Sequence, residues 1–341
     1  MKPTQILAIV AVVALISVGC YFLYDNTTNT NSGDITITQY DGEVVTFDKL
    51  PERIVCLSTY AAEVIVLLGE TDHVVGVCHS IVTNAELSDY YKNATDVGSF
   101  SSPTAELIIA TTPDVVITYS TSNDVVEALL SGTNIKCVAL DCGNTNKICS
   151  DVKSIGILVN QTSIANKFCE YYTDIINQVK AAAEGKDKPT LYMEGFSNYS
   201  VYAPTSAYQT MAILAGANLC YTPTSSTTIS AESLLEKNPD FIIKTPTKTT
   251  MTSTGTDNIY EELMTRSGLS SLDAIENGNV WIICSQCFGG PRAFAGALAC
   301  SIIFFGELES GITVESALTE YNELFNVNFS VDDLIYPSIS N

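Results

Sequence analysis

The chain has 341 residues, 46% of them hydrophobic, which is enough for a large core and long enough for two domains rather than one. Charged residues are only 16%, yet 38 acidic against 16 basic side chains give a formal charge of −22. A field of that sign repels phosphate backbones, so nucleic acid is excluded as an expected partner; the acidity reads as a solubilising surface or an acidic docking face.

Lys2 is followed by an apolar run from Ile6 to Val18, then Gly19-Cys20 and Tyr21-Phe22-Leu23-Tyr24. About thirteen apolar-dominated residues suit a secretory signal and are too few to span a bilayer, whereas the run extended to Tyr24 reaches spanning length. Ser17-Val18-Gly19-Cys20 resembles a lipobox, in which cleavage before Cys20 leaves that cysteine to carry lipid, although Ser17 stands where an aliphatic residue is usual. Residues 1–24 are therefore expected to be a signal peptide, a lipoprotein signal or an uncleaved membrane anchor. Residues 25–34, DNTTNTNSGD, have no apolar side chain to fold around and read as a flexible linker. Either way, the rest of the chain is expected outside the cytoplasm, on the outer face of the cytoplasmic membrane.

Ile35-Thr36-Ile37-Thr38 and Val44-Val45-Thr46-Phe47 flank Asp41-Gly42, a hairpin signal. Ile54-Val55-Cys56-Leu57 is a short apolar run of the kind found in a buried parallel strand, and Thr59 is placed to cap the helix after it. Val74 to Val77 and Val115 to Ile117 are further strands, with a short helix from Glu106 to Thr111 between them. From Lys147 the pattern turns helical and breaks at Asn160-Gln161. It resumes from Thr162 or Ser163 and runs to Glu184, where Gly185 and Pro189 end it. Strand–helix alternation then restarts at Leu191. The reading is an α/β fold with an N-terminal lobe at 35–145, a helical segment at 146–185 and a C-terminal lobe at 186–341.

An internal repeat supports two similar halves. Residues 105–117, AELIIATTPDVVI, align without a gap to residues 231–243, AESLLEKNPDFII. Each opens a helix with Ala-Glu, closes it with Pro-Asp and enters an aliphatic strand. Glu106 and Glu232 fall in the first helical turn, where the helix dipole favours a carboxylate. Capping alone accounts for either one; a matched pair, one per lobe, is what a two-fold partner needs.

The segments PERIVCLSTYAAEVIVLLGETDHVVGV, VGSFSSPTAELIIATTPDVVI, ISAESLLEKNPDFII and NGNVWIICSQCFGGPRAFAGALA together resemble the substrate-binding proteins of iron-siderophore, haem and cobalamin importers of the ABC type. The resemblance implies two Rossmann-like lobes with central parallel sheets, joined by one long α-helix, with the ligand held between them. It also implies that Glu106 and Glu232 dock onto a dimeric permease with its ATPase subunits. The ligand so implied is a small-molecule metal chelate or corrinoid, and no resident cofactor is expected.

Ligands of open α/β sheets sit beyond the carboxyl ends of the strands. Those ends place Ser58, Thr59, Tyr60, His79, Ser80, Phe100 and Tyr119 on the first lobe's side of the cleft. Tyr199, Tyr202, Ser206, Tyr208, Gln286, Phe288 and Arg292 fall on the second. Aromatic rings beside hydroxyls suit a large, partly apolar ligand with polar edges, and Arg292 is the cation in that neighbourhood: either a contact for ligand oxygens or a salt-bridge partner. The stretch Ala203 to Tyr208 stands where family members often carry a glycine-rich loop, a departure that changes local pocket shape.

Cys20 belongs to the tether; ten other cysteines are spread along the chain. Cys137 with Cys142, or Cys142 with Cys149, are close enough in sequence to pair in an oxidising exterior, whereas Cys56 and Cys300 read as small buried hydrophobes. A sharper alternative brings Cys78 and His79 of one lobe to Cys284 and Cys287 of the other as soft metal ligands. His79 or a cleft tyrosine as axial ligand to haem iron or cobalt is another. No phosphate-cradling loop, HExxH or GxSxG motif is present, and His73 and His79 are the whole histidine supply. An enzyme is therefore not expected. A tethered sensor or adhesion module, or a metal-ion or haem receptor on the same fold, is the competing reading.

Overall fold

The computed structural model describes residues 34–330 and 332–338. The expected signal or anchor with Cys20, and the linker as far as residue 33, lie outside the described residues.

A hairpin of β1 (Ile35–Thr38) and β2 (Val44–Phe47) pairs Ile35 with Phe47, and Gly42 takes the positive φ of its turn. Behind it, β3 (Ile54–Cys56), β4 (Val74–Val77), β5 (Thr95–Asp96), β6 (Val115–Thr118) and β7 (Lys136–Ala139) form a sheet in the order β5-β4-β3-β6-β7. All its pairings are parallel, and every residue of β3 and β6 is buried, as a sheet covered on both faces requires. Helices α1 (Thr59–Leu67), α2 (His79–Val82), α3 (Ala105–Ala110) and α4 (Asn123–Leu129) make its connections. Ser58, not the expected Thr59, caps α1: its side chain accepts the Ala61 N–H, so the helix starts one residue earlier than the pattern suggested.

Helix α5 (Ile148–Leu158) and helix α6 (Thr162–Ala183) meet at Asn160, whose φ of 56° breaks the run. The position before α6 is Gln161, which makes no side-chain cap bond, so neither Thr162 nor Ser163 is the cap. Helix α6 has 22 residues and is about 33 Å long. Its buried residues Ala165, Phe168, Cys169, Tyr172, Ile175, Ile176 and Val179 recur at three- and four-residue spacing, one apolar stripe along a long rod.

The second lobe contains β8 (Thr190–Glu194), β9 (Ser200–Val201), α7 (Ala207–Leu214), β10 (Asn218–Leu219), β11 (Thr227–Thr228) and α8 (Ala231–Lys237). It continues with β12 (Phe241–Lys244), α9 (Ser253–Thr265), α10 (Asp273–Glu276), β13 (Val280–Ile283), α11 (Ala293–Phe305), α12 (Val314–Phe325) and β14 (Ile335–Tyr336). Its sheet runs β11-β9-β8-β12-β13-β14, with β10 also paired to β8. The centre is parallel; β9, β11 and β14 join antiparallel at the margins. The chain's end does not keep to this lobe. Tyr321 and Phe325 pack on Phe168 of α6, Phe329 lies 6.4 Å from Tyr90 of the first lobe, and the chain returns as β14.

The repeat's Pro-Asp turns do the same work in both halves. Asp114 Oδ2 accepts the backbone N–H groups of Glu52 and Arg53 just before β3, and Asp240 Oδ2 accepts the N–H and hydroxyl of Thr190 at the start of β8. Each aspartate therefore fixes the register of the neighbouring parallel strand, β3 beside β6 and β8 beside β12. Glu106 and Glu232 are left exposed in the first turns of α3 and α8. Glu232 is held below the ordinary carboxyl value by its own backbone N–H and by Ser230.

Candidate ligand-binding cleft

Between the lobes lies a cavity of about 300 Å³. Tyr60, Tyr119, Ser120, Asp141 and Thr145 of the first lobe face Thr205, Ala207 and Thr210 of the second across it. The first-lobe wall is a hydrogen-bonded aromatic corner. Tyr119 Oη lies 2.7 Å from the Thr59 hydroxyl and accepts the Thr59 N–H at 3.0 Å. Its ring meets Tyr60 edge-on at 6.2 Å and Phe100 at 5.4 Å. Ser120 donates both its N–H and its hydroxyl to Asp141, which fixes the carboxylate at the rim.

Tyr60 reaches across to the second lobe, and glycines make room for it. A Cβ at Gly289 would stand 2.3 Å from the Tyr60 hydroxyl, and one at Gly290 would stand 2.4 Å from a ring carbon. No other residue type fits this close approach, which explains the Gly-Gly step before Pro291. Burial pushes the Tyr60 and Tyr119 hydroxyls above the ordinary phenol value, so both remain protonated at neutral pH.

Beside the second-lobe lining residues Thr205 and Ala207 is a stacked shelf. Tyr202 and Tyr208 lie parallel with centroids 4.3 Å apart and 11° between planes, and Phe196 meets both edge-on at 6.4 and 6.5 Å. Phe288 supports Tyr208 from behind at 5.8 Å and is itself fully buried. Tyr202 Oη lies 3.1 Å from the Thr245 hydroxyl. Ser206 caps α7 by accepting the Gln209 N–H, so the non-glycine loop from Ala203 to Tyr208 becomes a helix start that delivers Tyr208 to the shelf. Phe196 escaped the sequence reading although it is 54% exposed, a costly place for a large apolar side chain with no partner to cover it. Asp141, Thr145, Thr205 and Thr210 escaped it too, because loop and helix residues at a rim carry no periodic signal.

Several expected cleft residues lie elsewhere. Arg292 is 6% exposed and does not line the cavity. Its guanidinium donates to Glu63 at 2.9 and 3.1 Å and to Glu86 at 2.9 and 3.4 Å, and lies 4.4 Å from the Phe329 ring centroid. Burial opposes its charge, but the two carboxylates outweigh that and hold it protonated. Glu63 and Glu86 belong to the first lobe and Arg292 to the second, so the trio joins the lobes. Ser58 and Phe288 are wholly buried, one a cap and the other a support. Tyr199 lies under the Arg266 guanidinium at 4.6 Å and gives its N–H to Glu194, committing it to a brace within the second lobe.

His79 hydrogen-bonds Asp96 at 2.7 Å, which lowers that carboxyl below its ordinary value, and Ser80 is spent on the Cys78 thiol at 3.1 Å. Neither belongs to the cavity lining. Gln286 is half-buried and meets Cys284 at 3.9 Å. The soft metal site does not assemble. Cys78 donates its thiol to the Leu57 carbonyl, Cys284 and Cys287 are buried in the other lobe, and among the described residues no three His, Cys, Asp or Glu side chains come together as ligands.

A larger hollow, about 360 Å³, opens on the second lobe alone, between Phe196, Asn198, Pro246, Thr250 and Glu262. Lys244 at its edge is already paired with Glu194 at 2.6 Å and with Asn198 at 3.1 Å. The two-lobed cavity, framed by aromatic rings at the strand ends, has the better geometry for a ligand.

A family model described as periplasmic binding protein matches residues 54–286, more than half of the chain. No curated protein matches the sequence. Among solved structures, a TroA-like periplasmic binding protein FepB from Veillonella parvula is 22% identical. It aligns over 87% of this chain and 97% of its own, with a TM-score of 0.76. CeuE of Helicobacter pylori, solved with Ni(II) bound, is 17% identical over 87% and 98% of the two chains, with a TM-score of 0.69. MolA of Haemophilus influenzae, solved with molybdate, is 15% identical over 86% and 99%, with a TM-score of 0.69. At these identities the structures establish the shared fold.

Proposed function

The chain belongs to the periplasmic binding protein family, and from that premise we propose that it is the extracytoplasmic receptor of an ABC importer, taking a neutral or cationic metal chelate or corrinoid in its interlobe cleft. The observation that carries the reading is an aromatic cluster on each side of one cavity: Tyr60 and Tyr119 line it with Phe100 against Tyr119, and on the second lobe Tyr202, Tyr208 and Phe196 pack together beside the lining residues Thr205 and Ala207. Rings of this kind bind a broad, partly apolar body by area, while Thr205, Thr210 and Ser120 offer polar contacts at its edges.

Charge narrows the class. No lysine or arginine is among the described residues that line the cavity; Arg292, Lys244 and Arg266 are spent on buried carboxylates, and the charged group on the cavity wall is Asp141. A multiply anionic catecholate chelate, or an oxyanion such as the molybdate bound by the Haemophilus protein, would meet a carboxylate with no free guanidinium among the described lining residues. Neutral hydroxamate chelates and corrinoids avoid that penalty. Glu106 and Glu232, exposed at equivalent helix starts, supply the two-point contact to the permease dimer.

The test is native mass spectrometry of the protein titrated separately with a ferric hydroxamate, a ferric catecholate, haem and a corrinoid. One-to-one binding of the hydroxamate or corrinoid, with the catecholate weakest, is expected. Tightest binding of the catecholate would overturn the charge argument, and binding of none would overturn the ligand class.

A further inference from the structure

Ten cysteines fall within the described residues, all free, and eight of them are closed to chemistry. Cys56, Cys78, Cys137, Cys142, Cys284, Cys287 and Cys300 are buried, and Cys220 is half-buried in the second lobe. Burial pushes the thiols of Cys56, Cys137, Cys220, Cys287 and Cys300 upward, which removes the thiolate that an oxidant needs. The remaining two form a pair of different character. Cys149 is the second residue of α5 and is half-buried; Cys169 is about two turns into α6, directly across the helix–helix contact. The Cys169 thiol lies 3.5 Å from the Cys149 carbonyl oxygen.

We propose that Cys149 and Cys169 are a redox-active dithiol, closing to an interhelix disulfide on meeting a disulfide oxidant and stapling α5 to the bridging helix. Cys149 is the attacking sulfur. Hydrogen bonds from Cys169 and then Thr173 hold it below the ordinary thiol value, Lys153 adds positive charge nearby, and it sits at a helix start. Its thiolate attacks one sulfur of the oxidant, forming a mixed disulfide and releasing the first thiolate. The Cys169 thiol, surrendering its proton to that leaving group, then attacks the Cys149 sulfur and expels the second thiolate. Two protein thiols and one disulfide become one protein disulfide and two small thiols. Cys169 shares its proton with Cys149 and is raised by that same contact, so it is the resolving partner rather than the first nucleophile.

The location gives the staple a consequence. Thr145, four residues before Cys149, lines the cleft, and Tyr172, three residues after Cys169, lies on the buried stripe of α6. Closing the pair would therefore tie the loop that carries Asp141, Gly143 and Thr145 to the helix that joins the lobes. An extracytoplasmic setting is where such a bond persists.

The test uses the intact folded protein, oxidised with glutathione disulfide, trapped with N-ethylmaleimide and digested with trypsin. Cleavage after Lys147, Lys153, Lys167 and Lys180 isolates Cys149 in peptide 148–153 and Cys169 in peptide 168–180. The expected result is these two peptides joined, lighter than their sum by two hydrogen atoms, and separated by reductant. The Cys169→Ser variant should stop at a glutathione adduct on Cys149, whereas Cys149→Ser should leave Cys169 unmodified. Recovery of both wild-type peptides in unlinked form, alkylated or singly glutathionylated, overturns the proposal. Should a serine variant fail to fold, the wild-type peptide map still decides.

Discussion

Two buried clusters of acid and base hold this molecule together, and they are built with opposite stoichiometry. At the lobe junction one cation, Arg292, serves two carboxylates, Glu63 and Glu86. Inside the second lobe two cations, Lys244 and Arg266, flank one buried carboxylate, Glu194, and Arg266 also meets the exposed Glu262. The outcomes differ accordingly. Burial pushes the Glu63 carboxyl up, and Arg292 offsets only part of that. Burial acts on Glu194 in the same direction, yet Arg266 and Lys244 outweigh it and hold the group below its ordinary value. The first cluster is an under-compensated joint between bodies that a binding protein needs to move; the second is a fully compensated brace beneath the aromatic shelf.

The largest test of that contrast is Arg292→Met. It leaves the buried Glu63 and the half-buried Glu86 without a cation and should cost about 3–5 kcal/mol in denaturant unfolding. Small-angle scattering should also report a larger radius, since the joint spans the lobes. A loss below about 1 kcal/mol with an unchanged radius would show that the bridging helix and α12 carry the junction without it. Glu194→Gln should cost about 3 kcal/mol by leaving the buried Lys244 without a carboxylate while Arg266 keeps Glu262, but leave the scattering curve unchanged, because every partner lies in one lobe.

Titration sharpens the comparison further, with opposite signs. Glu63 keeps its proton to higher pH in the folded chain than in the unfolded one, so stability falls as pH rises from the ordinary carboxyl value through the raised one. Glu194 contributes stability that is present above the unfolded value and lost as pH falls through the lowered one. Asp151 follows the sign of Glu63. Burial raises its carboxyl to about 6 while it accepts the Cys142 N–H at 2.9 Å. Asp151→Asn, which keeps the acceptor, should flatten the stability loss between about pH 4 and 6, by at most roughly 2–3 kcal/mol. Thermal melts across that range check it, and an unchanged profile would put the titration elsewhere.

Much of the frame was legible in the sequence because it is local. The break at Asn160, the two-residue period of the hairpin and the aliphatic runs of β3 and β6 each need only neighbours a few positions away. The gap-free repeat showed two equivalent units, and the aspartates of its Pro-Asp turns hold equivalent strands. The cleft was half legible. Tyr60 and Tyr119, which the rule of carboxyl ends points to, line the cavity, whereas Tyr202 and Tyr208 stack beside it. Arg292 was misplaced because its partners are 229 and 206 residues away, a separation that no local pattern encodes. Phe196, Asp141 and the two-residue antiparallel strands were missed for the same reason: their meaning is set by what the fold brings opposite them.

The account rests on a receptor that delivers what its cleft binds, and the exposed glutamates at the two helix starts test that most directly. Glu106→Lys combined with Glu232→Lys should leave ligand affinity unchanged, since neither residue lines the cavity, while cellular uptake of the bound solute falls to background. Uptake that survives the double charge reversal at unchanged affinity would contradict docking through this pair, and with it the delivery role.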